Sequence, residues 1–237
     1  MKLTIVRTGN LLGSPDVKRL LHEREQAGGS TDELWDELAR IKLALGYDGQ
    51  CSIFLLEEPA RPDLFPALVD PCFVGTGPAR SGSSVEAGLG ALGQQGLAPE
   101  QIRSVLLTHA HPDHVDRRLL SALPHATAYA HGDSGVPGCE PFPQDRFGPS
   151  LVALDTPGHG CSHSSYVLEL AELELAVCLA GDLIMSHAHY LDLEHPYAFA
   201  DHDAGRRSVE AVLAALRKTG RRHCAICPGH GRPFVVS

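Results

Sequence analysis

Short apolar runs along the chain alternate with segments of helical periodicity and with turns rich in glycine and proline. The runs predict β-strands at residues 2–6, 51–56, 67–70, 104–108, 126–130 and 151–154, a β-hairpin over 165–170 and 173–180, and a final strand at 223–227. Helical spacing of apolar positions predicts helices over residues 84–95, 116–123 and 204–219. Strands followed by helices, twice over, predict an α/β fold with mixed sheets and helices on the outside.

Two amphipathic segments separate the first two predicted strands. Pro15 suits the first turn of a helix, and Ser30 with Glu33 has the spacing of a capping box at the start of another. Leu34 and Leu38 begin an apolar stripe that must pack on another part of the chain. We therefore predict a helical hairpin inserted at about residues 14–46 of a single domain that spans residues 1–237.

Composition and charge narrow the function classes. Hydrophobic residues make up 43% of the 237 residues and charged residues 21%, as in ordinary globular proteins. Acidic residues outnumber basic ones by 29 to 20, and the net charge of −9 disfavours general attraction to nucleic acid or to anionic membranes. No apolar run reaches the roughly 20 residues of a membrane-spanning helix, and the first apolar stretch is too short for a secretion signal. These features predict a cytoplasmic protein without a membrane partner.

The histidines are concentrated from His109 onwards, where thirteen of the fourteen lie. The densest group is the sequence THAHPDH at residues 108–114, directly after a predicted strand. Four side chains that can bind a metal within six residues would cost too much desolvation to serve only as packing. This segment therefore predicts a metal site.

Three later segments repeat the arrangement of a strand end, a glycine and a possible ligand. They are DTPGHG at residues 155–160, AGD at 180–182 and CPGHG at 227–231. Glycine beside each possible ligand allows the backbone to approach a site closely. Together with residues 108–114, these segments supply five histidines and two aspartates, a set that suits two metal ions bridged by one carboxylate.

In these motifs and in their order, the chain from roughly residue 51 to residue 234 resembles the metallo-β-lactamase superfamily. The resemblance implies an αββα sandwich of two mixed β-sheets flanked by helices, with a two-metal site at one edge of the paired sheets. It implies that the first metal is held by His109, His111 and His159, the second by Asp113, His114 and His230, and that Asp182 bridges the two. It also implies that Asp70 orients the ligand loop, since outer carboxylates of this kind fix the tautomer of a ligating histidine.

The motifs also indicate a branch of the superfamily. Asp182 stands where the antibiotic-hydrolysing enzymes have a cysteine, and the pattern is instead similar to the thioesterase, lactonase and RNA-processing branches. The sequence PGHGRPF near the end of the chain, together with TPGHG, resembles a branch that includes an animal pre-mRNA nuclease.

The ligand set and the resemblance predict a metal-dependent hydrolase. Two divalent metal ions lower the pKa of a bridging water, so a hydroxide nucleophile exists at neutral pH. Asp113 and Asp182 are expected to act as the catalytic residues, because they would hold this hydroxide and move its proton. Zinc is favoured, with iron or manganese as alternatives, because imidazole and carboxylate ligands suit zinc and hydrolysis needs no redox change.

We expect the substrate to be a small molecule, namely an ester, a thioester or a lactone. A phosphodiesterase or RNA endonuclease of the same superfamily is disfavoured, because aromatic residues make up 5% of the chain and the basic run at residues 217–222 contains none. A mononuclear iron oxygenase acting on a thiol or persulfide would not need Asp113 or His230. A non-catalytic metal-binding or regulatory protein is the least favoured function, because no ligand position is damaged. The sequence indicates no oligomeric state.

The remaining cysteines and histidines are interpreted as structural. The seven cysteines are predicted to be reduced thiols. Cys224 and Cys227 have the spacing of a zinc or redox pair, but residues three apart on a strand point to opposite faces, which favours packing. Cys161 is predicted to be a small buried thiol rather than a residue that borders the site. For three histidines, surface or loop positions are favoured over substrate orientation or proton donation: His163, His187 and His189.

Overall fold

The structure is a computed structural model that describes residues 1–9, 23, 26–28, 50–73, 84–132, 134–194 and 198–236. Its first sheet contains, in the same order in space as in sequence, β1 (Lys2–Arg7), β2 (Ile53–Glu57), β3 (Ala67–Val69), β4 (Ser104–Leu106), β5 (Thr127–Ala130) and β6 (Cys139–Pro141). Neighbouring strands from β1 to β3 are antiparallel, and those from β3 to β6 are parallel. The predicted helical hairpin at residues 14–46 lies outside the described residues at all but four positions and stays a prediction.

The second sheet is built from the second half of the chain. Its strands are β7 (Leu151–Asp155), β8 (Ser164–Leu170), β9 (Leu175–Gly181), β10 (His223–Pro228) and β11 (Phe234–Val236), and their order in space is β11-β10-β9-β8-β7. β9 and β10 pair parallel, whereas the other neighbours pair antiparallel. Both sheets are therefore mixed, as predicted.

Five α-helices are present in the described residues. They are α1 (Ser84–Gln94), α2 (Arg117–Ser121), α3 (Gln144–Phe147), α4 (His187–Leu191) and α5 (His202–Lys218), and three short 3₁₀ turns lie at Pro99–Gln101, Ala171–Leu173 and Asp182–Ile184. Asp116 caps α2 and Asp201 caps α5, since each carboxylate accepts a hydrogen bond from a backbone N–H in the first turn. Of the helices that the structure describes, none is both long enough and apolar enough to cross a membrane.

Alternation along the strands divides the buried side chains between the two faces of each sheet. Phe54 in β2 and Val177 in β9 lie in the core between the sheets. Their neighbours point the other way, Leu55 into the cluster that contains Leu92 of α1 and Cys178 into the cluster that contains residues of α5. This period of two is the pattern of sheets buried on both faces. The layers are helix, sheet, sheet and helix, which confirms the predicted αββα sandwich.

The predicted strands and the three predicted helices occur with their ends shifted by a few residues. Residues 223–227 form a strand as predicted, but it is not the final one, because β11 follows and pairs antiparallel with β10. Three further elements were not predicted, namely β6, α3 and α4. Each of these elements has only three to five residues, too few to show a period, and its conformation depends on the neighbouring strand or loop.

Strand direction brings the chemically interesting segments to one edge. β3, β4 and β5 are mutually parallel, so their carboxyl ends carry Asp70, residues 108–114 and His131 to the same side of the first sheet. β7, β9 and β10 also share one direction, because β8 runs antiparallel to both β7 and β9. Their carboxyl ends carry residues 155–160, Asp182 and His230. The two sheets thus place their loops around one shared edge.

Candidate metal centre

The seven residues implied as metal ligands lie together at this edge. They form two groups, in each of which the ligand atoms lie within 4.8 Å of one another: His109, His111, His159 and Asp182, and Asp113, His114 and His230. The division between the groups is the one expected from the resemblance. Their role as ligands remains a prediction, but their proximity is a feature of the fold.

Asp182 lies between the two groups, and its two carboxylate oxygens face different histidines. Oδ2 is 3.3 Å from Nε2 of His159 and 3.9 Å from Nε2 of His109. Oδ1 is 3.2 Å from Nε2 of His114 and 3.3 Å from Nε2 of His230. A carboxylate in this position can provide one ligand atom to each of two metal ions.

Asp70 fixes the orientation of histidines in both groups. Its Oδ2 accepts a hydrogen bond from Nδ1 of His114 at 2.9 Å, so Nε2 of His114 faces the centre. The same oxygen accepts from the hydroxyl of Thr108 at 2.7 Å, while Oδ1 accepts from the Thr108 N–H at 2.8 Å. Because its proton goes to Asp70, the Thr108 hydroxyl oxygen accepts from Nδ1 of His109 at 2.9 Å. One buried carboxylate therefore sets both tautomers, as the resemblance implied.

The loop that follows β10 is held by hydrogen bonds to the segment just before β2. Nδ1 of His230 donates to the carbonyl oxygen of Gln50 at 2.8 Å, which turns its Nε2 towards Asp182 and towards Oδ2 of Asp113 at 3.4 Å. The backbone N–H of Ser52 donates to the carbonyl of Gly229 at 2.6 Å. The segment before β2 thus holds the last ligand in place.

Two glycines are required by the close approach of backbone to the centre. A Cβ at Gly229 would lie 2.1 Å from Oδ1 of Asp182. A Cβ at Gly181 would lie 2.6 Å from the Thr108 hydroxyl and 2.7 Å from Nε2 of His163, and Gly181 has a φ of 51°. Any side chain at these positions would displace groups of the centre, which explains the glycines noted in the sequence.

The charges of the centre are strongly coupled. Burial would raise the pKa of Asp182, but His230, His114 and His159 together hold it well below the ordinary value. Burial lowers the pKa of His109, and the neighbouring His114 lowers it further. For His230, burial opposes the charged form, yet the carboxylates of Asp182 and Asp113 raise its pKa to about 9. The lowered pKa of Asp182 favours its ionised form, which is the form that binds a metal ion.

The donor atoms fit divalent metal ions. Nε2 of His109, Nε2 of His114 and Oδ1 of Asp182 are buried, and none of them has a hydrogen bond of good geometry among the described residues, although the last two atoms lie 3.2 Å apart. Leaving such atoms without a partner is costly, and coordination of a cation would satisfy all of them. Imidazole nitrogen and carboxylate oxygen are ligands that zinc and other divalent first-row metals accept.

The cysteine predictions have different outcomes. Cys227 lies in the core between the sheets and Cys224 packs against the cluster of α5, so the two thiols point to opposite faces of β10 as predicted. The prediction of a buried Cys161 is wrong, because this side chain is only partly buried and lines a cavity of about 470 Å³. It was predicted from residue type, whereas its position after the His159 loop decides its exposure.

Two of the three additional histidines do not lie at the surface, although His163 is in a loop, directly before β8. His163 and His189 are completely buried. Nδ1 of His163 pairs with the Thr156 hydroxyl at 2.8 Å, and Nδ1 of His189 accepts from the N–H of Met185 at 3.1 Å. His187 is exposed, with its ring stacked on Phe234 at 4.4 Å between centroids. Backbone partners, which sequence alone does not reveal, make the two buried rings possible.

One pair of residues beside the centre was missed. Nε2 of His131 lies 3.1 Å from Oδ1 of Asp155, and this pair joins the ends of β5 and β7 across the two sheets. Both residues line the 470 Å³ cavity, together with the loop around Gly158 and the start of α5. A signal was available, because His131 follows a predicted strand directly, as residues 109–114 do.

Comparison with known proteins agrees with this geometry. The family profile described as metallo-beta-lactamase superfamily matches residues 46–115. The human metallo-beta-lactamase domain-containing protein 1 is 33% identical over 189 residues, which is 76% of this chain and 62% of the human protein. Its rat counterpart is 31% identical over 75% of this chain and 68% of the rat protein. The chain thus spans less than two thirds of the length of the human relative and slightly more than two thirds of the length of the rat relative.

A further relative and two solved structures are also similar. Thioesterase pkgB of Emericella nidulans is 30% identical over 55% of this chain and 34% of that protein. A Thermotoga maritima protein assigned to the metallo-beta-lactamases has 17% identity and a TM-score of 0.59 over 99% of each chain. AidC, a dizinc quorum-quenching lactonase solved with a product, has 16% identity and a TM-score of 0.55 over 78% of each chain. At these identities the two structures show a shared fold.

Proposed function

The chain belongs to the metallo-β-lactamase superfamily, and from this premise we propose that it is a binuclear metal-dependent hydrolase of a small ester, thioester or lactone. The observation that carries the proposal is the position of Asp182, whose two oxygens face the two ligand groups separately. In the proposal the first ion is held by His109, His111 and His159, the second by Asp113, His114 and His230, and both by Asp182.

The chain's own residues would position the reactants and move the proton. Two divalent ions bound at the seven ligands would lower the pKa of water and polarise the substrate carbonyl. Asp113 is the more exposed of the two acidic residues, with 16% of its side chain accessible against 7% for Asp182. We therefore assign to the Asp113 carboxylate the acceptance of a proton from the attacking water and its return to the leaving group.

Zinc is the proposed metal, because five imidazoles and two carboxylates suit it and hydrolysis needs no redox change. A mononuclear iron centre would use one group of ligands. The second group, Asp113, His114 and His230, is as compact as the first and is oriented by Asp70 and Gln50. This completeness supports two ions over one.

A small substrate is favoured by the surroundings of the centre. A cavity of about 470 Å³ lies beside the His159 loop, is lined by none of the seven proposed ligands, and has the size of a site for a small ligand. Asp155 and Asp201 line it, and none of the described residues around it is Lys or Arg. Together with the net charge of −9, this lining disfavours a polyanion such as RNA. The similarity to a named thioesterase and the fold shared with a lactonase point the same way.

Elemental analysis of protein purified without chelator tests the metal part of the proposal. We expect two equivalents of zinc per chain. One equivalent of iron without zinc would contradict both the stoichiometry and the hydrolase assignment.

A substrate panel tests the reaction. We expect turnover of at least one class among thioesters, lactones and simple esters, with negligible cleavage of a labelled single-stranded RNA at moderate salt. The Asp182→Ala variant serves as the blank, because any activity that it retains comes from contaminating enzymes. Cleavage of RNA that this variant lacks, alongside negligible turnover of every small ester, would overturn the small-molecule assignment in favour of a nuclease.

A further inference from the structure

His163 is a completely buried histidine that is not one of the seven proposed ligands. It lies directly before β8, and its ring centroid is 5.2 Å from that of His109. Its Nε2 contacts the backbone N–H of Leu183 at 3.3 Å, and its Nδ1 contacts the Thr156 hydroxyl at 2.8 Å. The ring therefore lies directly behind the residues that carry Asp182.

The directions of these hydrogen bonds follow from chemistry. A backbone N–H can only donate, so Nε2 of His163 accepts from Leu183 and Nδ1 carries the proton. That proton goes to the Thr156 hydroxyl oxygen. The Ser165 hydroxyl donates to the carbonyl of Ala180 at 3.2 Å, because a carbonyl can only accept. The Thr156 hydroxyl must then donate to Ser165, at 3.0 Å. All four bonds have one consistent direction.

This string begins and ends on either side of the bridging carboxylate. It runs from the N–H of Leu183 through three buried side chains to the carbonyl of Ala180, and the only residues between these two backbone groups are Gly181 and Asp182. The imidazole also lies close to Gly181, where a Cβ would be 2.7 Å from Nε2. The hydrogen bonds thus form a closed circuit with the backbone turn that carries Asp182.

The same residue ties together the loops that carry the other ligands. The carbonyl of His163 accepts from the N–H of Thr156 at 3.0 Å, which fixes the start of the His159 loop. The next residue, Ser164, donates its N–H to the carbonyl of Thr108 at 2.7 Å, directly before His109. Three ligand-bearing segments therefore meet at residues 163–164.

We infer that His163 is a positioning residue that holds Asp182 in the orientation facing both ligand groups, through acceptance of the Leu183 N–H by Nε2. This inference rests on the proposed binuclear site. It identifies one ring nitrogen as the critical atom, so two substitutions that each keep a different half of the imidazole separate positioning from packing.

His163→Gln places an amide oxygen near the position of Nε2, where it can still accept from Leu183. His163→Asn keeps a group near Nδ1 that can donate to Thr156 but leaves Leu183 without an acceptor. The affinity for Zn²⁺ is measured by competition with a chromophoric chelator, starting from metal-free protein and without substrate. Because removal of a group that orients a ligand costs about tenfold to 100-fold in metal affinity, we expect this loss for Asn and a change within about threefold for Gln.

Gln144→Ala is the matched control for stability. It removes three hydrogen bonds, to Gly148, Leu151 and Ala153, at a place remote from the centre. We expect it to lower the melting temperature of the metal-free protein without a change in Zn²⁺ affinity. Thr156→Val, which removes the acceptor for Nδ1 while nearly keeping the shape, should weaken Zn²⁺ binding about tenfold even if the Asn variant does not fold.

The outcomes distinguish this inference from the proposed function. If His163→Asn or Thr156→Val loses melting temperature like the control but binds Zn²⁺ as the parent does, His163 is a packing residue and the inference is overturned. An equal loss of affinity for the Gln and Asn variants also overturns it, since Nε2 would then not be the critical atom. If the parent itself fails to bind two equivalents, the proposed function fails, whatever the variants do.

Discussion

Two segments of the chain have the spacing of metal ligands, and they fold in opposite ways. Residues 108–114 continue beyond β4 as an irregular loop, and their ligand atoms converge with those of Asp182. Cys224 and Cys227 lie within β10, and one thiol packs against the helical layer while the other lies between the sheets. The first segment can hold ions, whereas the second cannot bring its two sulfur atoms together.

The contrast shows that local conformation decides whether spaced residues converge. Strand alternation sends side chains three positions apart to opposite faces, and a loop beyond the strand end escapes this constraint. The surroundings differ as well. His114 is oriented by Asp70, whereas Cys227 is packed among apolar side chains and burial raises its pKa to about 12. With this pKa the thiol stays protonated, whereas a cysteine must lose its proton to bind a metal.

The largest effect is expected from removing the carboxylate that the two ligand groups share. Asp182→Ala should lower kcat/KM on the best substrate at least about 1,000-fold, because metal polarisation contributes several kcal/mol. Elemental analysis should show that zinc content falls below one equivalent. Glu210→Ala, on the exposed face of α5, is the control and should leave both quantities unchanged. Retention of two equivalents by Asp182→Ala would show that Asp182 does not bridge.

A steric test displaces the same carboxylate without removing it. Gly229→Ala introduces a Cβ that would lie 2.1 Å from Oδ1 of Asp182, so the carboxylate must move away from the second group. We expect affinity for Zn²⁺ to fall roughly 100-fold, at the upper end for displaced orienting groups. Gly90→Ala is the matched control, because nothing lies within 4 Å of its added Cβ and alanine favours the helix. Equal affinities for the two variants would contradict the assigned position of Asp182.

A milder test changes what orients the histidines. In Asp70→Asn, the amide cannot accept from the Thr108 N–H, the Thr108 hydroxyl and His114 together, so the tautomers of His109 and His114 are no longer fixed. Zn²⁺ affinity should fall about tenfold to 100-fold. Asp145→Asn removes an equal charge at an exposed position of α3 and should leave the affinity unchanged. If the two variants behave alike, Asp70 has only a general electrostatic effect.

The sequence predicted the parts of the molecule that depend on local pattern. Strand ends, glycines and possible ligands recur together and indicated a two-metal site, and the resemblance to the metallo-β-lactamase superfamily implied that residues 109–114, His159, Asp182 and His230 meet at one edge. Alternation also predicted the opposite directions of Cys224 and Cys227.

Features that depend on distant partners could not be predicted in this way. His163 is buried because its ring nitrogens meet Leu183 and Thr156, and no periodicity in the sequence encodes these contacts. β11 exists because Phe234 pairs with Ile226, not because three residues have a strong preference for a strand. Residue type alone therefore gave the wrong burial for His163 and Cys161.

The smallest expected effect comes from the other side of the contrast, the cysteine pair of β10. Cys224→Ser and Cys227→Ser, alone or together, should leave zinc content unchanged and kcat/KM within about threefold of the parent, since neither sulfur faces the ligand groups. Cys227→Ser should lower stability by about 1–3 kcal/mol, because it places a hydroxyl in the core between the sheets. Cys224→Ser, at a partly exposed position, should change stability by less than about 0.5 kcal/mol. Chemical denaturation and elemental analysis of the same preparations give both results. Loss of zinc from the double variant would show that β10 does not separate the two thiols, and the explanation by strand alternation would fail.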